Sequence, residues 1–398
     1  MEHSSRHNDF EWAISLNQLM LKIIGLWPPD NHIIRKKMKS KIRLFYSITT
    51  ILFILIIPAL ISLMRVWGDM ILMIENMQYS LPLLATISKL IIIWYKQADL
   101  LSVIHMIEED WTKPKMKEER DVMLKRAINT RTIAMWGLFV AIFTIVITFG
   151  FSYFGLILRH VTNLTDSGKP MLIPSYYFHD VSKSPQFELT FLAQGITLIA
   201  SGCSYTAVDH LLGLLVLHVC GQLENLHFRL AYMRKYPNFL ANLKYNVLDH
   251  IRLIRSIEII DNTFDSLLLV VMLYFGIIFC LKGFLIVEVV NRGGKLSLMQ
   301  LLWFAAAIIY ILLHMCLYSA VGEILVTQSE KIHQATYKYP WYNVEPKAAK
   351  SLMLIMLRAS KPLHITAGKI FPMTMATFGN LLKTSAGYIS VLLAKQNS

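Results

Sequence analysis

Charge, cysteine and recognisable catalytic motifs are all scarce in this chain. Only 16% of its 398 residues are Asp, Glu, Lys or Arg, against 55% hydrophobic. The apolar residues lie in long blocks rather than at the spacing of a soluble core, which excludes an ordinary globular domain. The four cysteines, Cys203, Cys220, Cys280 and Cys316, all lie inside apolar runs. They read as small buried hydrophobes, and no disulfide framework can be built from them. His-Glu-x-x-His, Cys-x-x-Cys and Gly-x-Ser-x-Gly are missing, and Arg292-Gly293-Gly294-Lys295 lacks the spacing of a nucleotide loop. His210 and His218 stand two turns apart on an apolar helix without an acidic residue at ligand spacing, so they read as structural histidines. No enzyme, metal or cofactor chemistry is expected. No Gly/Ser-rich linker, repeat or low-complexity tract divides the chain, so a single domain over 1–398 is expected.

What is present is a set of membrane-length runs. Crossing ~30 Å of hydrocarbon takes about 20 residues at 1.5 Å each. Phe45–Met64, Ile71–Tyr95, Ile133–Leu158, Phe187–Val208, Leu267–Val290 and Leu298–Ala320 qualify, and a seventh span runs from Ile370 to Leu393. The stretch Pro346–Lys369 is interrupted by basic residues and reads as a short cytoplasmic helix. The fold class is therefore all-α, polytopic, with seven transmembrane helices. Segments 1–44, 96–131, 221–264 and 322–369 hold 29 of the 39 Lys and Arg residues, and the opposite side holds seven. The positive-inside rule then puts the N-terminus in the cytoplasm and the C-terminus outside. The sequon Asn163-Leu164-Thr165 falls in a loop assigned outside, making Asn163 a glycosylation candidate. The net charge of +13 thus reflects topology, and nucleic acid is not an expected partner.

The regions divide as a cytoplasmic N-terminal arm (1–44), helices 1 to 6 (45–320), a cytoplasmic segment (321–369) and a last helix (370–398). In the arm, Trp12, Leu16, Leu19, Ile23 and Leu26 form one apolar side of an interfacial helix, and no signal peptide is apparent. Helical periodicity continues past the membrane through Leu214, Leu217, Leu223, Leu226 and Leu230, then Val247, Ile251, Ile254 and Ile257. Several helices are therefore expected to project into the cytoplasm and pack there. Among intramembrane charges, Glu75, Lys282 and Glu288 are close enough to span ends to snorkel, while Lys89 and Asp209 read as packing or topology groups. The last span carries a small polar face, Asn380, Lys383, Thr384 and Ser385, on an otherwise apolar rod. A wet face inside a bilayer needs something aqueous to face, such as a pore shared between subunits.

Three runs carry a family resemblance. They are Trp12-Ala13-Ile14-Ser15-Leu16-Asn17 through Trp27-Pro28, Gln328-Ser329 with Ala335-Thr336-Tyr337 and Trp341-Tyr342, and Thr377-Phe378-Gly379-Asn380-Leu381-Leu382-Lys383-Thr384-Ser385. In this order, and over essentially the whole chain, they resemble insect odorant receptors, in the form found in ants, bees and wasps. The resemblance implies a subunit of a tetrameric, ligand-gated, non-selective cation channel in the plasma membrane of olfactory neurons. It also implies a pore lined by the last helix and a cytoplasmic anchor to which Tyr337, Trp341 and Tyr342 contribute. The chain is shorter than the family co-receptor and lacks its insertion in 221–264, so it resembles a variable, odorant-tuned subunit that needs that co-receptor as partner. Aligned on Tyr388, Val391 falls where the family narrows its pore, with Ala394 and Lys395 towards the exit.

The family pocket lies between helices 2 to 6 in the outer half of the membrane, where a volatile, mostly apolar ligand is held by aromatic and methionine contacts. Tyr79, Leu83, Thr148, Phe149, Ser152, Gln194, Thr197, Gln300 and Trp303 lie at that depth. Each is equally compatible with packing or lipid contact. A gustatory-receptor relative shares the topology and last helix. A G-protein-coupled receptor is opposed by the inverted orientation and missing motifs, and a transporter by the lack of an inverted repeat.

Overall fold

The computed structural model describes residues 2–28, 34–153, 164–166, 169–233, 238–291 and 298–397. Helix α1 (Glu2–Ile24) lies against α5, α6 and α7. Its packed face is Phe10, Ala13, Ile14, Asn17, Leu21 and Ile24, while Trp12, Leu19 and Ile23 are exposed. The expected single apolar side is thus split, because Leu26 is fully buried beyond the helix end. Gly25 makes that end: at φ 88° its amide and that of Leu26 both return to the Leu21 carbonyl. A Cβ there would come within 2.3 Å of the Ser40 carbonyl, so the close turn needs glycine.

The first span is built from α2 (Ile34–Thr50), a π-helical segment (Ile51–Ile56) and α3 (Ile57–Arg65). Pro58 has no amide hydrogen, so the Ile54 carbonyl four residues earlier loses its helical donor. The Tyr177 hydroxyl donates to it instead at 2.8 Å, and the Tyr176 amide donates to the Pro58 carbonyl at 3.0 Å. Helix α4 (Met70–Tyr95) starts at Asp69, whose side chain accepts from the Ile71 and Leu72 amides. There follow α5 (Gln97–Thr112), α6 (Lys117–Tyr153), α7 (Gln186–Ala231), α8 (Phe239–Asn291) and α9 (Leu298–Lys338).

At 46, 53 and 41 residues, α7, α8 and α9 are each roughly 60–80 Å long, about twice the hydrocarbon thickness. Leu214, Leu217, Leu223, Leu226 and Leu230 are all buried, as their periodicity requires, and only Ile251 of the α8 series is largely exposed. Beyond the membrane, one chain of ion pairs crosses four helices. Glu119 of α6 meets Arg229 of α7 at 2.9 Å, and Arg229 also pairs with Asp249 of α8. Arg252 joins Asp249 at 2.8 Å and also pairs with Asp110 of α5. His218 of α7 completes the chain at 3.1 Å from Asp110. Its acidic partner therefore lies on another helix, out of reach of a spacing argument.

A short 3-10 turn (Trp341–Asn343) leads to α10 (Pro346–Ala359). The expected cytoplasmic helix over Pro346–Lys369 stops early, and a two-residue hairpin, β1 (Thr366–Ala367) with β2 (Phe371–Pro372), follows. Asp261 of α8 holds the hairpin by accepting from the Thr366 amide (2.6 Å) and hydroxyl (2.8 Å), and it also pairs with Lys369. The last span therefore begins at Met375, not Ile370, as α11 (Met375–Asn397). Six helices among the described residues are long and apolar enough to cross a membrane, and α11 packs beside them on α8 and α9.

Candidate functional site

A cavity of about 290 Å³ lies among α4, α6, α7, α8 and α9. Helix α4 contributes Tyr79, Leu83 and Thr86, and α6 contributes Thr144 and Thr148. Helix α7 adds Ser201 and Tyr205, while Tyr274, Phe275 and Tyr310 close the far side from α8 and α9. The Thr86, Thr144 and Thr148 hydroxyls donate back to their own helices at 2.8–2.9 Å. What remains facing inward is mostly apolar, with five aromatic rings among aliphatic side chains, which suits a small, largely apolar ligand.

Leu172 and Ile173 roof the cavity, and they come from the loop before α7 rather than from a span. Gln194 of α7 fixes that roof. Its Oε1 accepts from the Leu172 amide at 2.8 Å and the Ile173 amide at 3.4 Å. Its Nε2 donates to the Ser175 and Tyr177 hydroxyls, both at 3.2 Å. The tie to Ile54 then pins the same loop to the first span. Burial pushes the Tyr177 phenol up to about 12, partly offset by its hydrogen bonds with Gln194 and Ser175.

An ionic cluster lies behind Tyr205. Lys89 Nζ lies 2.5 Å from Asp209 Oδ1, 3.2 Å from the Tyr318 hydroxyl and 3.1 Å from the Tyr205 ring centre. His314 Nε2 lies 2.8 Å from Asp209 Oδ2, and the Tyr318 hydroxyl donates to Oδ1. Tyr205 thus lines the cavity while packing against the Lys89 ammonium. This cluster is a packed polar centre, and Tyr205, Tyr274 and Tyr310 are cavity residues that the spacing of single helices did not single out.

Of the residues placed at pocket depth from sequence, the fold brings Tyr79, Leu83 and Thr148 together in the cavity. Phe149 instead packs on Phe191, ring centres 5.0 Å apart, and Thr197 is buried with its hydroxyl on the Ala193 carbonyl. Gln194 serves the roof. The side chains of Ser152, Gln300 and Trp303 lie outside the described residues, as do Asn163 and the side chains of Glu288, Ala394 and Lys395. Glu75 and Lys282 do not snorkel. Both are buried, and Lys282 Nζ donates to Gln78 Oε1 at 3.0 Å.

Helix α11 turns one side to α8, where Ile389 packs over Gly283 and Leu381 over Gly276. Ser385 is on that packed side and only 3% exposed, so it leaves the expected polar face. The exposed side comprises Asn380, Lys383, Thr384, Ala386, Gly387, Tyr388, Ser390 and Val391, and most of these recur three or four residues apart. Tyr337 and Tyr342 are exposed, and Trp341 is half-buried against Tyr342, ring centres 6.0 Å apart.

These features define a polytopic, all-α membrane protein with a small, largely apolar cavity inside its helix bundle. The chain belongs to the 7tm Odorant receptor family, whose model matches residues 69–386. It is 28% identical over 228 residues to Odorant receptor 10 of Aedes albopictus, covering 56% of this chain and 58% of that one. With Odorant receptor 85c of Drosophila melanogaster it shares 19% identity over 312 residues, 77% of this chain and 78% of the relative. The chain thus spans little more than half the length of Odorant receptor 10. The fold is similar to the insect olfactory receptor OR5 from Machilis hrabei in complex with eugenol. That match has a TM-score of 0.76 at 16% identity, covering 96% of this chain and 98% of that one.

Proposed function

We propose that this chain is the odorant-tuned subunit of a ligand-gated, non-selective cation channel, assembled with the family co-receptor in the plasma membrane of olfactory neurons. The observation that carries the reading is the two-sided α11. One side is packed on α8, and the other presents an unpartnered stripe from Asn380 to Val391 that mixes polar groups with Tyr388 and Val391. A shared pore gives such a stripe water at its polar residues and an apolar constriction at Val391. The same α8 that holds α11 also supplies Tyr274 and Phe275 to the cavity. Ligand binding can therefore bias the pore through one rigid helix.

A volatile ligand occupies the cavity among Tyr79, Leu83, Thr148, Tyr205, Tyr274 and Tyr310. A small aromatic odorant of the size of eugenol suits a space of about 290 Å³ lined by rings. Tyr337, Trp341 and Tyr342 contribute to the cytoplasmic contact with neighbouring subunits, and Lys383, Ala394 and Lys395 contribute to the ion path. The test is expression with and without the co-receptor under a broad odorant panel. Odorant-evoked cation current only in the pair supports the reading. Robust current from this chain alone overturns the division of labour, and signalling that needs a G protein and no ion pathway overturns the channel.

A further inference from the structure

A second cavity, of about 380 Å³, lies between α6, α7 and α9. It sits against the Lys89–Asp209 cluster, whose Asp209, His314 and Tyr318 line it, toward the end from which α7, α8 and α9 project. Thr206 and Tyr310 border both cavities, so the two are neighbours across one wall. The second one opens on the outer surface of the bundle, since Trp136, Leu313 and Leu317 on its rim are 64%, 60% and 46% exposed. Its lining runs from Thr130 to Val140 on α6 and from Tyr310 to Val321 on α9. At 1.5 Å per residue the cleft is roughly 15 Å long and parallel to the helices, the direction in which lipid chains lie.

One polar group in its wall is unspent. His210 is 9% exposed, and its Nδ1 is buried without a hydrogen-bond partner. Gly137 faces it so closely that a Cβ there would lie 2.5 Å from Nε2. Among the other polar linings, Thr130, Thr132 and Thr206 donate to their own helices, Tyr318 donates to Asp209, and His314 and Asp209 hold each other. An unpaired imidazole in an apolar surround is unfavourable, and an occupant with a single hydrogen-bonding group relieves it. A carboxylate head is disfavoured because the wall is apolar and the nearby Lys89 ammonium is already held by Asp209.

We infer that this cleft binds a neutral, single-chain amphiphile from the bilayer, of the long-chain alcohol class, with its chain along α6 and α9 and its hydroxyl at His210. The site is separate from the odorant cavity and does not rest on the channel reading. The test uses the full-length receptor in phosphatidylcholine nanodiscs and a long-chain alcohol carrying a mid-chain diazirine. Crosslinks should map to residues 130–140 and 313–321. Excess long-chain alcohol should compete, and an alkane of equal chain length should not. His210→Phe keeps the ring and removes the nitrogens, and should lower labelling about fivefold, the worth of one hydrogen bond. Tyr79→Ala, in the other cavity, should leave labelling unchanged. Uniform labelling of the lipid-facing helices, equal competition by the alkane, or full labelling of monodisperse His210→Phe protein overturns the inference. The competition arm on the unmutated receptor decides the matter even where His210→Phe does not fold.

Discussion

Lys89 of α4 and Asp209 of α7 meet at 2.5 Å although 120 residues separate them in sequence, with 1% and 9% of their side chains exposed. Such a pair holds only while both members are present, because either one alone is an uncompensated charge in an apolar interior. Lys89→Met should therefore cost about 3–5 kcal/mol, read as a lower melting temperature of the detergent-purified receptor and reduced surface expression. The double variant Lys89→Met with Asp209→Leu should recover much of that loss. A double variant as unstable as the single would show that Tyr318 and His314, not charge balance, dominate the cluster.

Tyr79→Ala and Tyr274→Ala should shift the half-maximal odorant concentration by about ten- to a hundredfold, since an aromatic wall contact is worth about 1–3 kcal/mol. Surface expression should change little. Loss of protein from the surface in step with loss of response would assign these rings to packing alone.

Val391→Ser should raise basal current in the heteromer while leaving the order of odorant potencies unchanged. A polar group at a narrow apolar ring stabilises water there and so opposes closure. Ion permeability measured beside the wild type decides it, and unchanged conductance and basal opening in a normally assembled heteromer would exclude this side of α11 from the pore.

The ion chain across α5, α6, α7 and α8 makes a pH prediction. Burial raises the Asp110 pKa, but the hydrogen bond and charge of His218 and the charges of Arg252 and Lys115 outweigh it and hold the carboxyl at about 2. A group depressed in the fold stabilises above its unfolded value of about 3.9 and loses that contribution as pH falls towards 2. Asp110→Asn should thus be less stable than wild type by about 2 kcal/mol at neutral pH. The gap should close between roughly pH 4 and pH 2. A gap that does not change with pH would mean that geometry, not charge, is what Asp110 contributes.

An epitope tag after Ser398 should stain on unpermeabilised cells, as the distribution of Lys and Arg requires. Staining only after permeabilisation would reverse the orientation and place the α7–α9 extensions outside.

The spans and the overlong helices were legible because both are written in local composition and period. Leu223 and Leu226 announce a buried stripe whatever lies opposite them. The ionic cluster behind Tyr205 was not legible, since Lys89 and Asp209 each look like an isolated charge until the fold brings α4 and α7 together. Leu172 and Ile173 were hidden for a different reason. They sit in a loop with no periodicity, and only the Gln194 amide makes them a roof. The polar side of α11 was read half correctly. Asn380, Lys383 and Thr384 are exposed, whereas Ser385 is one position around the helix, where its carbonyl lies 3.6 Å from Cys280 Sγ.

Pro58 has a consequence for how such a receptor can diversify. By withholding one amide it leaves the Ile54 carbonyl open, and Tyr177 moors the roof of the cavity there. The roof therefore hangs from a few fixed anchor points and is not welded into the helical frame. Residues between those moorings can be exchanged without shifting the register of any span. The side chains of Leu172 and Ile173 can therefore change while the helical frame stays the same.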